Sequence, residues 1–453
     1  MKKIITILIL LGCFVTGFAQ QRTITGTVTD ETGATLPGVT VLLKGTTIGT
    51  ITDLQGNYSL SVGDGTLVFS YMGFETQEIP IGTQTSINVR LLEDRKLLEE
   101  VVVIGYGTQK KKDITTSVAV VDDKALKDRP IVTVAQALQG KAAGVQVTQP
   151  SGKPGSGLAV RVRGATSVIA GNEPAYIVDG IQTSDINGLN PNDIESMTVL
   201  KDASAAAIYG ASAANGVVLI TTKRGLKETP SINFNTYFGF SKLRKGIDVL
   251  NTKQYRDLMM DIGVAYDPTW TGYTDWMDET YGTGYQQSYQ ASFSGGSEKS
   301  SYFVSGGYLT EQGMVEPSKF DRYTLRMNLD NELRSWLKVK TSLTTWSINT
   351  KDTPDNMSSG RGGVIMSALN TPPFLNVYKK DGSGWFDPNP FQPSWENPIA
   401  YMQGPDQNAR DNKVLGAVDV EVRLLKGLKF KSNAGIDITS HQYDYYLDPF
   451  RTT

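Results

Sequence analysis

The sequence is poor in the side chains that carry most enzyme chemistry: His441 is its sole histidine and Cys13 its sole cysteine. Cys13 lies in a segment expected to be cleaved, so a Cys/His metal cluster, a Ser-His-Asp triad and a Cys-His pair are all excluded. Carboxylates are plentiful, with 46 Asp and Glu, and a two-carboxylate glycosidase needs nothing else. No particular pair is marked, and neither enzymatic activity nor a cofactor is expected. The glycines of Gly152 to Gly157 suit a phosphate loop, but no Gly-Lys-Ser/Thr follows, and a plain loop is the reading. Asp53-Leu54-Gln55-Gly56-Asn57 lacks the spaced carboxylates and terminal bidentate Glu of a calcium loop and reads as a turn.

Binding residues are easier to find. Glu100-Val101-Val102-Val103-Ile104-Gly105-Tyr106 is a short apolar extended run between acidic residues and Lys110-Lys111-Lys112. An exposed β-branched strand offers unpaired N–H and C=O groups that another sheet can capture. Taken alone, the run reads as an ordinary edge strand, and the lysines as a solvated charge cluster. Trp385, Phe386, Phe391 and Trp395 sit among Pro and Gly between residues 371 and 405. Such aromatics can stack on sugar rings or grip peptides; packing of a long loop is the preferred reading, with Trp385, Phe386 and Trp395 as substrate candidates.

The elements that would position these residues begin with an export signal. Residues 1–19 join a basic start, Lys2-Lys3, to an apolar stretch, Ile4 to Val15, too short to span a bilayer, and to the small-residue cleavage signal Gly17-Phe18-Ala19. Leu10-Leu11-Gly12-Cys13 offers a rival, a lipoprotein signal, but the residues after Cys13 stay apolar. Conventional cleavage leaves a mature protein without disulfides and moves the net charge from −2 to −4, which gives no support to nucleic-acid binding. Charged residues make up 20% and hydrophobics 39%, a length of 453 allows about three domains, and no later stretch is long and apolar enough for a transmembrane helix. A β-barrel escapes that test, because its strands are short and alternating.

Residues 22–92 read as a small all-β domain. Thr23 to Val28 and Val39 to Leu43 have strand composition, and turns at Asp30 to Gly33, Pro37-Gly38, Asp53 to Gly56 and Gly63 to Gly65 punctuate them, as in a seven-stranded Ig-like sandwich. Its Gly26-Thr27-Val28, Leu36-Pro37-Gly38-Val39, Thr52-Asp53 and Tyr71-Met72-Gly73-Phe74 resemble the carboxypeptidase-regulatory-like domain, which is non-catalytic. Residues 109–226 read as mixed α/β. Val132 to Leu138 and Ala203 to Tyr209 have helical character, Pro191 opens a short helix, and Gly216 to Lys223 is a buried strand.

This second block carries the most specific motifs. Arg161-Val162-Arg163-Gly164, Tyr176-Ile177-Val178-Asp179-Gly180, the run Ile194 to Leu200 continuing through Lys201-Asp202 to Tyr209-Gly210, and Ala213-Ala214-Asn215-Gly216-Val217 resemble the plug domain of SusC/RagA-type TonB-dependent outer-membrane transporters. Ser212 departs from the pattern, since that family often has Arg there. By this resemblance residues 99–107, with Glu100 to Tyr106 at their centre, stand where the TonB box belongs, and the partner-strand reading overtakes the ordinary one.

From about residue 230 the strands alternate. Ile232, Phe234, Phe238 and Phe240 oppose Asn233, Asn235 and Tyr237; Tyr323, Leu325, Met327 and Leu329 oppose Thr324, Arg326, Asn328 and Asp330; Leu428, Phe430, Ala434, Ile436 and Ile438 oppose Lys429, Lys431, Asn433, Asp437 and Thr439. A soluble sandwich alternates too. Tight turns at Gly295 to Lys299 and at Leu425-Lys426-Gly427, separated by long segments at 242 to 285 and 351 to 411, favour an outer-membrane barrel, and Gly307 to Leu329 resembles the early barrel of the same family.

The expected fold is therefore mainly β: an Ig-like β-sandwich, an α/β plug, and over 230–453 the first strands of a transmembrane β-barrel of about 22 strands in that family. Those strands are too few to close it, so an N-terminal fragment is expected. The resemblance implies energy-coupled import of a glycan or peptide across the outer membrane. Its partners would be TonB, driven by ExbB/ExbD, and a SusD-like lipoprotein acting as a lid, with the N-terminal domain in the periplasm. Two rivals remain: a surface-adhesion protein of serial β-domains, and a metal-chelate receptor working without a lid.

Overall fold

The computed structural model describes residues 22–448 apart from 72–73, 93–100, 105–106, 111–117, 123–130, 165–166, 168–170, 203–206, 227–229, 265–270, 354–362 and 390–396, and describes the backbone alone at 101–104, 107–110, 118 and 207. The signal segment, Glu100, Gly105, Tyr106, Lys111, Lys112, Phe391 and Trp395 lie outside the described residues.

The first unit is a two-sheet sandwich. Its strands are β1 (Arg22–Thr29), β2 (Thr40–Leu43), β3 (Gly49–Ile51), β4 (Asn57–Val62), β5 (Thr66–Ser70), β6 (Gln77–Pro80) and β7 (Val89–Arg90), ordered β4-β1-β7 and β3-β2-β5-β6. Alternate residues of β4 and β5 point inward, giving a core with Ile24, Val41, Leu60, Leu67 and Phe69. Tyr58 joins it edge-on to Phe69 and donates its hydroxyl to the Ile87 carbonyl at 2.9 Å; burial pushes the phenol up to about 12. The Asp53 segment is a turn: its carboxylate accepts from the Gln55 and Asn57 amides at 2.9 and 2.8 Å, with Gly56 at φ +76°.

Next come β8 (Val101–Ile104) and β9 (Gly107–Lys110), paired as a two-stranded sheet. The plug follows with β10 (Val118–Asp122), β11 (Val145–Thr148), β12 (Ala159–Val162), β13 (Ala175–Val178), β14 (Ile181–Thr183), β15 (Ile194–Leu200) and β16 (Val217–Thr222). Five of these form a mixed sheet, β10-β15-β16-β13-β14, while β11 and β12 pair separately. The strands β13 and β16 run parallel at its centre and are almost wholly buried, as apolar strands covered on both faces must be. The helical expectation at Val132 to Leu138 was too generous. Val132 to Leu138 yields only a 3-10 turn, Ala135–Leu138, and of Ala203 to Tyr209 the described part is a 3-10 turn at Ala207–Tyr209. Alanine content favoured helix, but Gly140 at positive φ closes the first segment after a single turn, while Ala203 to Ala206 of the second lie outside the described residues.

The third part is an antiparallel meander in chain order: β17 (Ser231–Ser241), β18 (Gly284–Gly296), β19 (Ser300–Gln312), β20 (Lys319–Arg334), β21 (Leu337–Asp352), β22 (Pro405–Leu425) and β23 (Leu428–Leu447). Its polarity is inside out. On β20, Tyr323, Leu325 and Met327 are exposed while Arg322, Arg326 and Asn328 are buried. Ile232, Phe234, Phe238 and Phe240 likewise stand exposed on β17. Water would oppose this arrangement and lipid favours it, which removes the soluble serial-domain alternative. Tight turns close β18–β19, β20–β21 and β22–β23 at one end. At the other, long connections carry α1 (Thr252–Asp261), α2 (Trp276–Thr280), α3 (Gly363–Asn370) and α4 (Pro398–Gln403). These share a core of Trp276, Val364, Phe374, Phe386 and Ile399, with the Trp276 indole donating to the Pro372 carbonyl at 3.0 Å.

Candidate functional site

Two features could do the work of a gated pore: a strand ahead of the plug, and the contacts that hold the plug to the wall. Four β-branched or apolar residues, Val101 to Ile104, make β8 extended. In a two-stranded sheet one edge of β8 is taken by β9, and no other strand among the described residues pairs with its second edge.

Plug and wall meet through buried charge. Arg326 on β20, 1% exposed, donates to Asp179 and to the Thr222 hydroxyl of the plug and, at 2.7 Å, to the Thr344 hydroxyl of β21. Asp179 is in turn held by the Thr222 hydroxyl at 2.6 Å and its amide at 3.1 Å. Asn328 completes the cluster by donating to the Lys223 carbonyl at 2.6 Å. Asp179 sits at φ +48°, a left-handed conformation that Asp tolerates better than most residues, and Gly180 follows at φ +88°. The short β13–β14 turn thus aims the carboxylate at the wall.

Further contacts surround this cluster. Arg322 donates to the carbonyls of Val132 and Asn187, both at 3.0 Å. Lys413 reaches the Thr183 hydroxyl at 2.7 Å and Asp437 at 3.1 Å. Arg224 pairs with Asp330 at 2.5 Å, and Gln290 donates to Asp193 at 2.8 Å. Burial pushes the Asp193 carboxyl above its ordinary value, against the Ser305 hydroxyl and the Arg326, Lys223 and Arg322 charges, which pull it down. Burial likewise raises Glu173, with Asp185 adding to the effect. Below the Asp179 turn a cavity of about 500 Å³ separates the plug sheet from Lys340, Asp419, Glu421 and Lys431 on the wall.

The motif residues of the plug serve several ends. Arg163 pairs with Asp202 at 2.5 Å, and Asn215 ties the carbonyls of Gly171 and Glu173 at 2.9 and 3.3 Å. Gly164, Gly180, Gly210 and Gly216 all have positive φ, and a Cβ on Gly216 would crowd Val162. Tyr209 packs on a small core with Leu200 and Val217. Arg161 is exposed on β12, and Lys201 is half-buried just past β15. Ser212 donates to the Tyr209 carbonyl at 3.1 Å. Only Asp179 of this set belongs to the buried cluster, with the exposed Gly180 completing its turn. The sequence reading placed Arg326 and Asn328 on the polar face of β20 without assigning them a partner, and it missed Thr222 and Lys413. A charged residue at an inward position of an otherwise lipid-facing strand was the available signal.

Among the substrate candidates, Trp385 is 40% exposed, whereas Phe386 is 3% exposed and stacks on Tyr378 in the loop core. Phe386 thus packs the loop core.

Comparison with known proteins agrees with this architecture. Residues 110–217 match the TonB-dependent Receptor Plug Domain and residues 24–103 the CarboxypepD_reg-like domain. TonB-dependent receptor P3 of Formosa agariphila is 38% identical over 96% of this chain and 44% of its own length. TonB-dependent receptor SusC of Bacteroides thetaiotaomicron is 35% identical over 98% of this chain and 47% of its own. Among solved structures, the RagAB peptide importer in its open-open state superposes with a TM-score of 0.69 at 30% identity, over 78% of this chain and 44% of that one. The chain thus spans under half the length of these relatives. Both domain matches, the inside-out strands and the plug held against them identify the chain as the N-terminal portion of a SusC/RagA-type TonB-dependent receptor of the outer membrane.

Proposed function

We propose that this receptor imports an oligomeric nutrient, a glycan or a peptide, across the outer membrane, driven by TonB and closed on the outside by a SusD-like lipoprotein. The observation that supports the reading is β8, a strand just ahead of the plug in the chain whose second edge no strand among the described residues takes. TonB adds a strand there, making a many-bonded joint that resists pulling without a deep pocket. ExbB/ExbD supply the force from the inner membrane, and the pull is spent on the Asp179–Arg326 cluster. The plug then shifts, and substrate held under the lid passes along the polar cavity to the periplasm. Glycan or peptide is preferred because SusC and the RagAB peptide importer are similar to this chain. Of the aromatics proposed to meet substrate, Trp385 is the one that is exposed among the described residues.

The test is capture of the receptor, in mild detergent, by the periplasmic domain of TonB, repeated with Val102→Pro and with a peptide spanning Leu98 to Thr108. Proline removes a strand donor, so the variant is expected to lose capture while its barrel stays folded. Equal capture of both proteins, or none of either, would overturn β8 as the coupling strand.

A further inference from the structure

The outer wall of the barrel carries a polar cleft of about 340 Å³ toward its loop end, on the side facing away from the plug. Its residues share the outward parity of the lipid-facing ones: Lys319 and Asp321 continue the row Met327, Leu325, Tyr323 on β20, and Gln442 continues Ile436, Ile438 on β23. They are also direct cross-strand neighbours, since Asp321 pairs with Asn349, Asn349 with Arg410, and Arg410 with Gln442. On four adjacent strands the outward face therefore changes from apolar to polar along one rung. The stretch Leu428 to Ile438, at about 3.4 Å per residue and about 45° of tilt, rises roughly 24 Å, the height of an outer-membrane apolar band. The cleft lies just past that band, in the headgroup layer of the outer leaflet. Beside it, Tyr289, Tyr308 and Tyr323 form a stacked row with centroids 6.4 and 4.9 Å apart, as tyrosines do at a membrane interface.

The chemistry of the cleft is mixed. Lys319 and Lys351 each have a carboxylate neighbour, Asp321 at 2.9 Å and Asp406 at 3.1 Å, whereas the Arg410 hydrogen-bond partner is the neutral Asn349 at 2.9 Å. Cations interleaved with carboxylate and amide acceptors suit a ligand that brings both an anion and hydroxyl donors. We propose that this cleft binds the phosphorylated sugar headgroup of an outer-leaflet glycolipid, with phosphate at Arg410 and Lys351 and sugar hydroxyls at Asp321, Asn349 and Gln442. Arginine and lysine grip phosphate oxygens by charge-assisted hydrogen bonds, and the acyl chains then lie along the apolar rows below.

The experiment uses the receptor purified from outer membranes, stripped of lipid in detergent, and titrated with bis-phosphorylated lipid A, its dephosphorylated form, and inorganic phosphate, with bound species counted by native mass spectrometry. Wild type is expected to prefer the phosphorylated lipid by about tenfold over the dephosphorylated one, and Lys351→Glu/Arg410→Glu to lose that preference. A Lys351→Arg/Arg410→Lys version keeps both charges and is expected to retain it. Heat-resistant migration of each variant reports the folded barrel. Equal binding of the two lipids, equal preference in the charge-reversed variant, loss of preference in the charge-keeping one, or displacement of lipid by inorganic phosphate at comparable concentration would each overturn the proposal.

Discussion

Asp179 serves the plug and the wall with one carboxylate, accepting from Thr222 within the plug and from Arg326 across the gap. Removing one member of such a pair strands a buried charge, at a cost of about 3–5 kcal/mol. Asp179→Asn is therefore expected to loosen the plug, read as faster proteolysis of residues 118–222 and greater ion leak in planar bilayers. Adding Arg326→Met should restore much of the loss; if the single variant leaks no more than wild type, the cluster does not hold the plug. Asp193 behaves differently. Its folded carboxyl keeps its proton to a higher pH than an unfolded one at about 3.9, so its contribution to stability is complete below that value and is lost as pH rises through the raised one. Asp193→Asn should unfold at a higher urea midpoint than wild type near neutrality, the difference shrinking toward acid pH; a difference independent of pH would remove this explanation.

At the scale of elements, alternation decides where a strand may be changed. Met327 is outward on β20, within the apolar band, so Met327→Arg is expected to cost about 2–4 kcal/mol in vesicle refolding. Ser347→Arg, beside Tyr323 at the band's edge, should cost about 0–1 kcal/mol; equal costs would contradict the assigned orientation. This alternation was legible because a period of two is a local property, readable at Tyr323 to Asp330 without knowing what lies on either side. Which side was wet was not local. Sandwich and barrel write the same pattern on a strand, and it took the alternation of tight turns with long connections, and the resemblance of Gly307 to Leu329, to choose between them. The Arg326–Asp179 contact was illegible for the same reason, since it joins residues 147 positions apart. The helix expected at Val132 failed because a tight turn at Gly140 overrode local propensity.

For the whole molecule, the chain divides into two compact units, the first centred on the sandwich. That sandwich has its own closed core, from Ile24 to Leu91, and owes nothing to lipid. Residues 22–92 made alone are expected to be soluble and to unfold cooperatively, with coincident circular-dichroism and tyrosine-fluorescence transitions. Aggregation or non-coincident transitions would show that it needs the rest of the chain. Beyond the barrel wall, the loop core joins two connections far apart in sequence: the Thr274 amide meets the Pro373 carbonyl at 2.7 Å, and Trp276 packs with Val364 and Ile399. The strands β18 to β21 lie between them in chain order. In a meander each hairpin can zip onto its predecessor as it inserts, but this cap has to wait for β22. Its maturation is therefore a late assembly checkpoint, and a receptor stalled partway through insertion would reach the cell surface with an unfinished mouth.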